Sequence, residues 1–465
     1  MTDQGSGSEQ PADISEVHDR WLLVAVAGAL SFVAMLDMNI VNVALAGISA
    51  GLRVPAATAQ WAVLGYQLPV VALLLPVGRW LDSVGTRPAL LAATSGFALC
   101  SALAAFSPSV SWLIAARIGQ GACGAVLFVL MPVLAIRSVR PELRGRAMSV
   151  PATLGPLGAV TGPAVGGLLL DHLGWRWIFL VKIPFCLLAL AVAWRAMPRD
   201  GRLRGPDRRS VADAALVAGG VTVLLLSLTL ASGSSAWPAL ALVAVPPLWW
   251  WLRGPGGRPV AGVLRAAGLL RAHGAVLALA VGFAAMHYVV ALHLQRDEGV
   301  SATATGLTVL AFPLAMGLAG PLGGRLADRY GARPVAVAGA ALTAVGLLLL
   351  VPLGDGWSPP DVAWRLAVAG LGMGLNGGPT QALVMGAAPP DRAATVGSAV
   401  QLARSLGFTL GPALATAAWG LTGPDSGVRA GLVLAATAAC LAVPLLALPA
   451  RAPAGLAESA PVAPR

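Results

Sequence analysis

The sequence predicts an all-α integral membrane protein built as two six-helix bundles with two extra helices between them. Three observations carry that reading: about fourteen apolar runs of membrane-spanning length, arginines gathered in alternate connections, and a loop sequence that occurs once in each half. Of the 465 residues, 57% are hydrophobic and 11% charged, with a mean hydropathy of +0.78. A soluble domain carries about 25% charge, so ordinary globular domains are excluded.

The elements follow in order. Residues 1–20 are polar and acidic, through Asp3, Glu9, Asp13, Glu16 and Asp19, and read as a disordered cytoplasmic tail. A membrane helix needs about 20 mostly apolar residues. Such runs cover 21–47, 58–78, 88–107, 111–136, 147–170 and 177–197, forming an N-terminal bundle over 21–197. The segment 198–271 holds cytoplasmic linkers and two extra helices, 212–232 and 237–252. The second of these is short, carries Pro246-Pro247, and ends in Trp249-Trp250-Trp251, which suits an interfacial aromatic belt. A further stretch, Val260 to Arg271, reads either as a surface-lying helix or as a basic linker. Runs at 272–294, 303–324, 334–353, 363–386, 395–420 and 428–448 form a C-terminal bundle over 272–448, and 449–465 is a second cytoplasmic tail.

Charge placement tests this list. The net charge of +11 would suit nucleic-acid binding if it were spread over a surface. With the N-terminus inside, however, arginines crowd the inner connections, for example Arg137, Arg140, Arg144 and Arg146, or Arg199, Arg202, Arg204, Arg208 and Arg209. Outer connections retain Arg53, Arg176, Arg296, Arg365 and Arg429. This is the positive-inside pattern, so the basic balance reports topology and no nucleic-acid partner is expected.

Several chemistries are excluded. The single lysine, Lys182, lies in Phe179-Leu180-Val181-Lys182-Ile183-Pro184, so the G-K pair of a Walker A loop is missing and no ATP-driven pump is encoded. Cys100, Cys123, Cys186 and Cys440 sit in apolar runs without metal-ligand spacing. Gly119/Gly121/Gly124 and Gly372/Gly374/Gly377 fit G-x-G-x-x-G, but neither follows a strand, so dinucleotide binding is excluded. No clustered nucleophile, base or metal ligand supports an enzyme, and no cofactor is expected.

The loop Gly78-Arg79-Trp80-Leu81-Asp82-Ser83-Val84-Gly85-Thr86-Arg87-Pro88 recurs as Gly324-Arg325-Leu326-Ala327-Asp328-Arg329-Tyr330-Gly331-Ala332-Arg333-Pro334. A second echo pairs Arg146-Ala147-Met148-Ser149 with Arg392-Ala393-Ala394-Thr395, and Gly162-Pro163 matches Gly411-Pro412. The two halves are therefore internal repeats.

These loops and this arrangement resemble the major facilitator superfamily. Leu36-Asp37-Met38-Asn39-Ile40-Val41-Asn42, Arg117-Ile118-Gly119-Gln120-Gly121, Gly155-Pro156-Leu157-Gly158 with Gly162-Pro163-Ala164-Val165-Gly166-Gly167, and Trp175-Arg176-Trp177-Ile178-Phe179 resemble motifs of its fourteen-span drug:proton antiporter branch. The resemblance implies a secondary transporter in a bacterial inner membrane, with both termini cytoplasmic. It would export a hydrophobic or amphiphilic small molecule, such as a drug, antibiotic or toxic metabolite, against protons. Its partners would be that substrate, protons and the lipid bilayer, with no obligate protein partner. Two other readings stand beside it: an importer or facilitator of a small metabolite, and a non-transporting sensor or scaffold.

An ionised Asp at a helix centre costs about 2.5–3.5 kcal/mol on insertion scales, which makes Asp37 a functional candidate for proton coupling. Arg117, about two turns into the fourth span, is its expected ion-pair partner; the family's corresponding arginine is implicated in proton transfer. Candidate cavity residues are Asn39, Asn42, Gln67, Gln120, His287, Asn376, Gln381, Gln401 and Arg404. Gly158, Gly162 and Gly166 line one helix face and, with Gly155, Pro156, Pro163 and Gly167, are expected to shape a gate. In the repeated loops, Gly78, Arg79, Asp82, Gly85 and Arg87 and their counterparts Gly324, Arg325, Asp328, Gly331 and Arg333 are expected to stabilise one access state. Asp82 would meet a neighbouring arginine or the positive end of a helix.

Overall fold

A computed structural model describes residues 19–448 except 206–207, 231–239, 255–256, 266–268, 354–356 and 423. The predicted tails therefore lie outside the described residues, apart from Asp19 and Arg20. The predicted spans fall on helix over most of their described length, and eighteen α-helices are described. In order these are α1 (Trp21–Val43), α2 (Leu45–Leu52), α3 (Ala56–Ala59), α4 (Trp61–Leu81), α5 (Thr86–Ala105), α6 (Val110–Arg137), α7 (Arg144–Leu173), α8 (Trp177–Leu180), α9 (Ile183–Ala196), α10 (Arg208–Leu230), α11 (Leu240–Arg253), α12 (Gly257–Arg265), α13 (Leu269–Leu292), α14 (Ala302–Tyr330), α15 (Ala332–Leu348), α16 (Pro359–Gly386), α17 (Ala393–Thr422) and α18 (Pro424–Ala447).

Among the described residues, eight helices are long and apolar enough to cross a membrane, or nine if a bent pair within α7 counts as one. That pair, Pro141–Gly162 and Val165–Leu173, meets at 41° around residues 163–164, where Pro163 withdraws a backbone donor. The side chain of Pro163 lies outside the described residues. The helix α16 is long enough to cross, but its run of Gly, Asn, Thr and Gln dilutes its hydropathy. The predicted span 177–197 is broken into α8 and α9 at Val181-Lys182, with Pro184 in the first turn of α9. The amphipathic stretch after α11 forms α12, whose Val260 packs with Val217, Val221 and Trp251 against Val71 and Leu75 of α4.

Within the first half α1 packs on α7, and α4 and α5 pack on α6; within the second, α14 and α15 pack on α16, and α17 and α18 on α13. The halves meet through α7 on α14 and α16, and α4 on α17. At the end bearing the repeated loops they share one core, in which Leu134 and Met148 pack with Val384, Val396 and Val400. Away from that end they separate around a cavity.

The glycines of α7 make the α1 contact possible. A Cβ on Gly158 would run into the Phe32 carbonyl, and one on Gly162 would lie 3.1 Å from the Ile40 nitrogen. On Gly166 it would lie 2.9 Å from Ile40 Cγ1, whereas Gly167, off this face, has open space. Gly155 meets Met35 on the same side at 3.6 Å.

A buried charge cluster beside a central cavity

Asp37 sits in the middle of α1 with no exposed surface, and both its oxygens are occupied. Arg117 of α6 donates from Nη1 to Asp37 Oδ2 at 2.7 Å, which realises the predicted ion pair. Lys182 Nζ donates to Asp37 Oδ1 and is equally buried. A lysine that the sequence offered only as grounds to exclude a phosphate loop is thus part of a fully buried charge cluster. It reaches Asp37 because the chain breaks between α8 and α9, leaving Lys182 at the head of α9 and facing α1.

Hydrogen bonds tie down the rest of the cluster apart from Arg117 Nη2, which has no such partner among the described residues. Arg117 Nε donates to the Ala62 carbonyl and Nη1 to Gln120 Oε1, both at 2.8 Å. Gln120 lies one turn after Arg117, so both face the same way. Its amide contacts Ser101 Oγ, and Ser101 donates to the Phe179 carbonyl that the helix break frees. The guanidinium lies 4.4 Å from the Tyr66 ring centroid, and Lys182 Nζ 4.9 Å from that of Phe179, which adds cation–π attraction in a desolvated setting. Counting formal charges, one carboxylate faces two cations. Such a cluster holds together only as a unit, because removing the carboxylate strands both cations in low dielectric.

On the other side of α1, a cavity of about 1060 Å³ opens between the halves, at the upper end for small-molecule sites. Its wall includes Met35, Met38 and Asn39 of α1, Gln67 of α4, Pro156 of α7, His287 of α13, Asn376 of α16, and Gln401 and Arg404 of α17. Thus α1 presents the charge cluster on one face and the cavity on the other.

The predicted cavity residues divide accordingly. Asn39, Gln67, His287, Asn376, Gln401 and Arg404 line the cavity, and Gln381 lines a small adjoining pocket. Gln120 lies in the charge cluster instead, and Asn42 is exposed and outside the cavity wall, one turn further along α1 than Met38. Several of these amides are already engaged: Asn39 donates to Met35 O at 3.1 Å and Asn376 to Ala336 O at 2.8 Å.

At the closed end, Asp82 accepts from Ala394 N at 2.9 Å and Thr395 N at 3.1 Å, so it caps α17 of the opposite half. Of its two expected partners, the helix terminus is the one observed. Burial pushes the Asp82 carboxyl above the usual range, opposed by hydrogen bonds from Thr395 and Ala394 and by the charge of Arg137. The second copy mirrors this: Asp328 meets the start of α7 at Gly145 and Arg146. Gly78 and Gly324 admit these approaches, since a Cβ would meet Ala394 O and Arg146 Cα respectively at 2.9 Å. Arg79 pairs with Asp213 of α10 at 2.9 Å, and Arg87 donates to the Trp194 carbonyl. Gly85 lies against Asp200, whose carboxylate caps α5 through Thr86 N and Arg87 N at 2.8 Å. In the second loop Arg325 is exposed, Arg333 half-buried, and Gly331 turns the chain with φ 90°.

The chain is 30% identical to the uncharacterized transporter YebQ of Escherichia coli, over 88% of this chain and 92% of that one. It is 29% identical to the methyl viologen resistance protein SmvA of Salmonella typhimurium, over 85% and 81%. Its fold matches the human organic anion transporter MFSD10 with a TM-score of 0.64 at 17% identity, covering 94% of this chain and all of that one. Residues 27–254 and 273–463 match the Major Facilitator Superfamily, and the chain belongs to that family of multi-pass membrane transporters, which are not enzymes.

Proposed function

We propose that this protein exports a hydrophobic or amphiphilic small molecule from a bacterial cell in exchange for protons, using fourteen spans with both termini cytoplasmic. The observation that carries this reading is Asp37, shared between Arg117 and Lys182 on the face of α1 opposite the cavity wall. Arg117 stays protonated in any protein environment and holds Asp37 ionised. The exchangeable proton then resides on the contact between Asp37 Oδ1 and Lys182 Nζ. With the proton the cluster carries one net positive charge, and without it the cluster is neutral. That change alters how tightly α1 is held to α6 and α9, and so moves the cavity wall.

The latches formed by Asp82 and Asp328 close the loop-bearing end, which corresponds to a cavity open to the outside in this topology. The motif Gly155-Pro156-Leu157-Gly158 and its resemblance to antiporter sequences favour export over uptake. Relatives with resistance names, such as SmvA, support a drug-like or toxic substrate. Transport into everted vesicles with an imposed proton gradient and a panel of candidate drugs tests the reading: accumulation should require the gradient, and accumulation that persists without it refutes proton coupling.

A further inference from the structure

Among the described residues lining the cavity, Arg404 alone carries a permanent charge. Its contacts are both to neutral amide oxygens, Gln381 Oε1 at 3.2 Å and Gln401 Oε1 at 3.5 Å. These use two of the five N–H donors of a guanidinium, and neither compensates its charge. The carboxylate of the membrane interior cannot do so either, because both oxygens of Asp37 are taken by Arg117 and Lys182. Arginine does not shed its proton when buried, so the surplus charge stays in the cavity.

The surroundings set the rest of the ligand. Phe283 and Phe408 of the wall have ring centroids 5.6 Å apart, and His287 stacks on Phe283 at 4.2 Å. Met35, Met38, Met316 and Met373 supply a polarizable, adaptable surface for a flat ring system. His287 Nδ1 lies 3.0 Å from the Phe283 carbonyl, which assigns its proton there, and leaves Nε2 without a partner.

We infer that the cavity selects aromatic anions: compounds with a hydrophobic ring system and an acidic group, carboxylate, phenolate or sulfonate, that pairs with Arg404. This names the substrate class and rests on the export reading for the direction of transport. A cation in the same place would meet an unopposed like charge in a low-dielectric wall, whereas an anion replaces a missing counter-charge with charge-assisted hydrogen bonds.

Equilibrium binding to the purified full-length protein in lipid nanodiscs, read by fluorescence polarisation, tests this without any gradient. Fluorescein and rhodamine 123 share a xanthene ring system but are anionic and cationic at neutral pH; empty nanodiscs correct for partitioning. The wild type should bind fluorescein about tenfold or more tightly than rhodamine 123. Arg404→Gln should erase that preference, and Arg404→Lys, which keeps the charge, should retain most of it. A wild type that prefers rhodamine 123, binds both alike, or shows no saturable fluorescein binding overturns the proposal, as does an Arg404→Gln protein with the preference intact. If Arg404→Gln does not yield folded protein, the wild-type preference and the Arg404→Lys variant decide. Gradient-independent transport with the dye preference intact would count against the export reading alone.

Discussion

The carboxylate of Asp82 reaches from one half of the molecule to Thr395 of the other, accepting from its backbone N–H at 3.1 Å and its hydroxyl at 2.5 Å. The start of α17 thereby acquires an anionic cap it cannot make for itself. Asp82→Ala should shift the closed-to-open ratio of this end by about 2 kcal/mol, or roughly thirtyfold. Spin labels at Ser83 and Asp391 would read the change as loss of the short-distance population.

The same carboxyl gives the latch a pH dependence whose sign is fixed. Burial holds its proton affinity above the ordinary carboxylate value in the latched state, while an opened latch exposes it to water. The latched state therefore binds more protons between the two values, and its population falls as pH rises through that window. The label distances should show this in the wild type, and Asp82→Asn should flatten it.

The charge cluster makes an asymmetric prediction for stability. Arg117→Met removes the donor to Ala62 O, Gln120 Oε1 and Asp37 Oδ2 at once and leaves Asp37 with Lys182, which should cost about 1.5–3 kcal/mol. Lys182→Met removes the surplus cation and leaves the Asp37–Arg117 pair whole, so the melting temperature in detergent should hold or rise. Both variants should lose gradient-driven transport in vesicles. Asp37→Asn should lose transport and also melt early, since it strands both cations.

The α1–α7 contact is set by absence of side chain. Gly158→Val should push the helices apart and cost about 1–3 kcal/mol with loss of transport. Gly167→Ala, with nothing within 4 Å, should melt and transport as the wild type does. Equal effects from the two would separate the glycine face from its assigned packing role.

Much of this was legible because charge is scarce in an apolar chain. Asp37 and Arg117 stand out in the spans that hold them, and the predicted pair is present. The two sequence echoes meant more than repetition: Asp82 of the first repeat docks on Ala394-Thr395, the second copy of the other echo, and Asp328 docks near Arg146, its first copy. Which copy meets which depends on how the halves face each other, and that is a tertiary fact. Lys182 was hidden for a local reason. The run from 177 to 197 reads as one span by its hydropathy, and Pro184, a residue suited to a helix's first turn, is the sequence's mark of the break at Val181-Lys182 that brings the amine to Asp37. An intramembrane lysine is itself a sufficient signal for a functional candidate. Gln120 could have been placed with Arg117 from its three-residue spacing, whereas the division of polar residues between the two faces of α1 required the packed bundle.

The extra helices break the symmetry of the molecule. Val217 and Val221 of α10, with Trp251 of α11, pack over Val71 and Leu75 of α4 and Ala399 of α17, upholstering the lateral joint between the halves on that flank. Among the described residues no such cover lies over the opposite joint, where α7 meets α14 and Leu318 stands 80% exposed. One flank is thus covered by the extra helices, whereas the other turns the apolar surface of the halves themselves outward.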